Sequence, residues 1–173
     1  MIVENVIIAI QAARGVTSHY NISTSLDASL FSIMGVFIGL NTFLILFTWL
    51  AFPFSPTTLT GNMLLAWQYG LFLFLVGGVA GGMMIGNMAH TVGATDGGMG
   101  VPFFNWSTIA GDLRSAHFIT LHGLQAIPLF AFFISRNSTK PRLLTSLFFV
   151  GYCFVCIGLH WLVLNEKPFF TIN

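Results

Sequence analysis

Charge is what this sequence lacks. Six Lys and Arg and five Asp and Glu among 173 residues make 6% of the chain charged. A soluble globular domain carries about 25%, so an ordinary solvated surface is excluded. Disorder is excluded by the same scarcity, because disordered chains are polar and charge-rich. The net charge of +1 gives no electrostatic case for nucleic acid as a partner. Cysteine is scarce too. Cys153 and Cys156 stand three apart in an apolar run and make no secreted disulfide framework. There is no Gly-X-Ser-X-Gly elbow, no His-Glu-X-X-His helix and no phosphate loop ending in Gly-Lys-Ser/Thr. Nothing therefore points to a hydrolase or a nucleotide enzyme.

What is present is apolar: 55% of the residues are hydrophobic, 19 are Phe, and the mean hydropathy is +0.86. This is an integral membrane protein. One span needs about 20 mostly apolar residues at about 1.5 Å rise each. Spans fall at about 28–52, 63–90, 113–135 and 143–165. The expected fold is all-α, a bundle of about four transmembrane helices forming a single domain over 1–173. Asp27 and Asp112 stand where N-caps belong, and Pro128 predicts a kink in the third span. The stretch Ile2 to Ala13 reaches only about 20 Å, short of a core of about 30 Å. Glu4, Asn5 and Gln11 interrupt it. It reads as a short interfacial or re-entrant helix, or as the remainder of a longer span truncated at the N-terminus.

The 136–142 connection holds Arg136, Lys140 and Arg142 and no acid. Cytoplasmic loops are enriched in Lys and Arg, so this loop is expected in the cytoplasm. The 91–112 loop is then periplasmic, the expected location being a bacterial inner membrane. Under that topology all five acids and all five histidines gather toward the periplasmic face. His117, His122 and His160 lie within spans, at depths of roughly 6, 14 and 8 Å. Ionisable groups inside a span suggest function by default. A neutral His also serves by bonding a carbonyl on a neighbouring helix.

Two site types follow. Haem b would be held by His residues on facing helices at matching depth. His117 and His160 match best, His122 is the deeper alternative, and Arg114 stands near the surface for a propionate. A transition metal, copper or zinc, would draw on His90, His117, His160 and His19. Cys153, Cys156 and His160 form one helical stripe, and Met83, Met84 and Met88 approach His90, a set that suits a soft ion. Plain packing also accounts for these Cys and Met residues. The glycines from Gly77 to Gly86 recur four apart. That spacing lets helices approach closely, within the chain, in a homo-oligomer or against other membrane subunits.

The strings SHYN (18–21), AHTVG (89–93) and GDLRSAHFITLHGLQAIPL (111–129) resemble those of a family of small bacterial multi-pass membrane proteins. The resemblance spans most of the chain and is most specific over 89–129. It implies location and topology and brings no catalytic role. Three functions stay open. The first is a haem- or metal-binding redox protein that transfers electrons. The second is a non-catalytic scaffold or accessory subunit of a larger complex. The third is a small transporter, with Asn41, Gln68 and Gln125 as its polar marks.

Overall fold

Long apolar runs in lipid must satisfy their own backbone, and a helix does so within the segment. The structure is a computed structural model that describes residues 2–59 and 61–171. Among these, four helices are long and apolar enough to cross a membrane: Ser25–Phe54, Gly61–Asn87, Leu113–Asn137 and Pro141–Leu164. The fold is the all-α membrane bundle expected from the sequence. The chain divides into two compact units, one ending at Thr48 and one starting at Trp49.

The first unit holds α1 (Ile2–Ala13) and most of α2 (Ser25–Ala51). α1 closes in a Schellman motif. Gly15, at φ +71°, donates to Ala12 O, and Val16 N donates to Gln11 O at 3.1 Å. α2 starts differently from the expectation. Its cap is Thr24, whose Oγ1 accepts from Asp27 N at 3.1 Å and whose carbonyl takes Ala28 N at 2.9 Å. Asp27 lies inside the first turn because its carboxylate is engaged elsewhere. It accepts from Thr24 Oγ1 at 2.7 Å, Gln11 Nε2 at 3.0 Å and Arg14 Nη1 at 2.7 Å. Gln11, which interrupts the apolar run, and Arg14, just beyond its end, thus tie the end of α1 to the start of α2. In the connection between them, burial pushes the His19 imidazole below its ordinary pKa, with Glu4 opposing.

In the second unit α3 (Gly61–Asn87) is central. The chain then forms β1 (Thr91–Val92) and β2 (Gly111–Asp112), a two-stranded antiparallel pair with Thr91 opposite Asp112. α4 (Leu113–Leu121), α5 (Gly123–Asn137) and α6 (Pro141–Leu164) pack around α3. Ala66, Leu73, Ile127, Ala131 and Cys156 form the core. Trp49 and Gln68 exchange reciprocal bonds, each side-chain nitrogen donating to the other's carbonyl at 3.2 Å. Gln68 is thereby spent on packing.

Three expectations change. The second span ends at Asn87, so His90 lies in the turn beyond it. The glycine ladder is split. A Cβ on Gly70 would lie 3.1 Å from Leu124 Cα, and one on Gly77 3.0 Å from Leu121 N, whereas Gly78, Gly82 and Gly86 have nothing within 4 Å. The packed stripe is therefore Gly70, Gly77 and Gly81, seven and four apart, and Gly82 faces outward. The third span is interrupted at His122, and Pro128 lies inside α5. Tyr152 explains the position of the break. Its hydroxyl donates to Ile119 O at 2.6 Å, which is the carbonyl that Gly123 N would take in a continuous helix.

Candidate functional site at the histidine end of the bundle

The end of the bundle that carries the histidines is closed by a folded loop between α3 and α4. α3 stops in a Schellman motif with Met88 at φ +50°, and Ala89 N donates to Met84 O at 3.2 Å. α6 stops the same way with Glu166 at φ +62°, Lys167 N donating to Leu162 O at 3.0 Å. Two carboxylates organise the intervening chain. Asp112 caps α4 by accepting from Arg114 N at 3.0 Å and holds Ser107 N at 2.8 Å. The sequence assigns this cap correctly. Asp96 accepts from Thr91 N at 2.9 Å and His90 N at 3.2 Å. Burial pushes its carboxyl up, but hydrogen bonds from Thr91 and His90 outweigh this and hold it below the usual carboxylate range. The loop docks on α6 without a gap: a Cβ on Gly111 would stand 2.2 Å from Val163 O. Trp106 is buried there, its ring 5.6 Å from Phe118 and 6.4 Å from Phe169.

The histidines occupy separate places on this frame. His117, on α4, reaches across to α3. Its Nδ1 donates to Gly77 O at 2.8 Å, and its ring lies against Gly81, where a Cβ would be 3.2 Å from Cε1. A carbonyl can only accept, so Nδ1 carries the proton. His160 donates Nδ1 to Cys156 O of its own helix at 2.8 Å. His122, exposed at the helix break, does the same to Phe118 O at 2.8 Å and stacks on the Phe118 ring. His90 Nδ1 touches the Asp96 carboxylate closely, yet the contact is not aligned as a directed hydrogen bond. His19 belongs to the first unit, where Ser18 Oγ lies 2.9 Å from its Nδ1.

Arg114 is committed locally. Its guanidinium meets Asp112 at 3.0 Å through Nε and 2.7 Å through Nη2, and it also holds the Asn105 carbonyl. Cys156 is buried, Cys153 is partly buried, and both are free thiols. Among the described residues no group of three or more His, Cys, Asp or Glu is placed to hold a metal ion. His117 lies within α4, whereas His122 lies at the break itself, the cap between α4 and α5. Sequence reasoning missed the roles of Asp96 and Tyr152. Asp96 stands among glycines, and Tyr152 reads as one more aromatic in an apolar run.

No family model, curated protein or solved structure matches this chain.

Proposed function

We propose that this chain is a non-catalytic membrane subunit whose histidines hold helices together, leaving activity to a partner complex. The observation that carries this reading is His117, which spends Nδ1–H on the α3 backbone at 2.8 Å and packs its ring on Gly81. An imidazole so used is interhelical glue. Arg114 is likewise consumed by Asp112 and Asn105. The location is a bacterial inner membrane with the 136–142 loop cytoplasmic and the 91–112 loop periplasmic. The unopposed Arg136, Lys140 and Arg142 support that sidedness. Gly78, Gly82 and Gly86, with open space above them, supply the face for another subunit or a second copy.

A second reading is haem b ligation, favoured by His160 and His122. Each donates Nδ1–H to a carbonyl of its own helix, which leaves Nε2 as the unprotonated nitrogen that haem iron takes. Copper or zinc would need further ligands brought to the same nitrogens. An absorption spectrum and metal analysis of detergent-purified protein, expressed with haem precursor, copper and zinc supplied, decide between them. The subunit reading expects no Soret band and no stoichiometric metal, with His117→Ala lowering the melting temperature. A Soret band abolished by His160→Ala replaces it with the haem reading.

A further inference from the structure

The loop that closes the histidine end also descends along the outside of α4. We infer that its tip, residues 102–105, is seated in the lipid leaflet, with Phe103 and Phe104 at the boundary between headgroups and acyl chains. Depth, exposure and backbone conformation each bear on this.

The depth is set by the span itself. Arg114 and Arg136 are the charged residues of Leu113–Asn137. A guanidinium is costly in hydrocarbon, so the apolar core of the bilayer lies between them. About 22 residues of about 1.5 Å rise separate the two by about 33 Å, which matches a hydrocarbon core of about 30 Å. Phe118 stands about one turn inside Arg114, roughly 6 Å along the axis. Its side chain tilts back toward the helix start, so its ring lies just inside the boundary. The loop tip reaches that ring. Phe104 stacks on Trp106 at 4.6 Å and meets Phe118 edge-on at 5.7 Å, and Arg114 holds the Asn105 carbonyl. The side of α4 they cover is the outer one. Arg114, Phe118 and His122 recur four apart on one face. His122 is exposed, whereas Ala116 and Thr120, on the opposite face, are fully buried. The tip is thus pinned between the levels of Arg114 and Phe118, on the side that the bundle leaves to lipid.

The chemistry of the tip fits that place. Residues 97–111 contain no charged side chain. The turn pairs its own amides: Val101 N donates to Trp106 O at 2.8 Å, Asn105 N to Val101 O at 2.7 Å and Phe104 N to Pro102 O at 2.9 Å. Such self-pairing suits the boundary, where irregular backbone is still tolerated, and not the hydrocarbon below it. What the tip presents is aromatic. Phe103 exposes its whole side chain, and Phe104 is 50% exposed. Phe103 also stands at φ +68°, a region that bulky residues rarely adopt. A conformation of this cost persists only where its surroundings fix it, and its effect here is to hold the ring outward. In water an outward ring gains nothing. At the interface it buries its apolar body beside the headgroups.

Photocrosslinking of the full chain in phosphatidylcholine vesicles tests this. A benzophenone side chain, as p-benzoylphenylalanine, replaces Phe103 in one variant and Ala94 in another. Both positions are exposed, so neither change disturbs packing. On irradiation the Phe103 variant should gain the mass of one phospholipid. Its yield should exceed that of the Ala94 variant on the order of tenfold, the occupancy ratio that burying one Phe ring supports. Equal yields at the two positions place the tip in water and overturn the inference. A covalent dimer of the chain in place of the lipid adduct assigns the rings to a second copy and overturns it too. Fluorescence then reads the depth. Phe103→Trp adds emission to that of the four native tryptophans. Lipids brominated near the headgroup should quench the added part more than lipids brominated near the chain end. The reverse order, or no quenching by either, overturns the boundary placement.

Discussion

Single residues set how closely the backbones meet. Gly111 has no room for a side chain, since any Cβ would overlap Val163 O. Gly111→Ala should cost about 2–3 kcal/mol, read as a lower melting temperature in detergent, because backbone opposes backbone and neither can turn aside. On α3 the same substitution should give opposite results on two faces. Gly77→Leu should unfold the bundle or sharply destabilise it, and Gly82→Leu should leave its stability unchanged, because only Gly77 meets a neighbour. Met88 holds a left-handed conformation at φ +50° that glycine adopts freely. Met88→Gly should therefore stabilise the protein by up to about 1 kcal/mol. Asp96 gives a pH signature. Its folded-state pKa lies below the ordinary value. Its contribution is thus complete above about pH 4 and is lost as pH falls through the folded value. Protection factors of the Thr91 and His90 amides, taken relative to the intrinsic exchange rate at each pH, should stay constant at neutral pH and fall only below that range. Protection that fades between pH 7 and 5 would contradict the assignment.

Among the elements, the interrupted third span is the most informative. α4 and α5 share one run of sequence, and a hydroxyl from α6 holds the carbonyl freed between them. Tyr152→Phe should cost about 0.6 kcal/mol, typical of a hydrogen bond between membrane helices. It should also increase exchange at Gly123 and Leu124, while Phe148→Leu on the same helix should not. Such a break was half legible in the sequence. Pro128 announces a disturbed helix, but the disturbance settles six residues earlier, at a place fixed by a partner 30 residues downstream of the break. The span positions were legible because length and hydropathy are local properties. The rotation of each helix was not, since small-xxx-small spacing is satisfied equally by Gly77/Gly81 and Gly78/Gly82, and only packing chooses between them. The histidines show the same limit. Their depth follows from counting residues, whereas the acceptor of each Nδ1–H depends on what the helix faces. Asp112 was recognisable as a cap because it stands at the entry to a helix. Thr24 was overlooked because Asp27, three residues on, is an equally good capping type.

For the molecule as a whole, the loop contacts make the topology testable. Gly93 and Gly111 pack against Glu166 and Val163, which puts the 88–112 loop and the chain after α6 at one end of the second unit. Single cysteines at Gly98 and Phe170, in a background lacking Cys153 and Cys156, should label together in intact cells. A cysteine at Thr139 should show the opposite accessibility. If the first two label and the third does not, the histidine end faces outward. The reverse pattern would move it to the cytoplasm and leave the fold unchanged.

The least apolar of the four spans is Leu113–Asn137, with a hydropathy of 1.6 against 2.2 for Ser25–Phe54 and Pro141–Leu164. It is also the span whose His117 donates its hydrogen bond to α3, and whose Ser115 and Thr120 bond back to Asp112 and Ala116 carbonyls. During synthesis this segment should partition into lipid less readily than the other three, since its hydropathy is the lowest of the four. The second span has by then already emerged, with its glycine face bare and the Gly77 carbonyl available. The expected consequence is an ordered biogenesis, with the third span entering the bilayer as a companion of the second. Fused alone to a reporter, residues 113–137 should insert inefficiently, and placing residues 61–87 upstream should restore insertion unless Gly77 and Gly81 are enlarged.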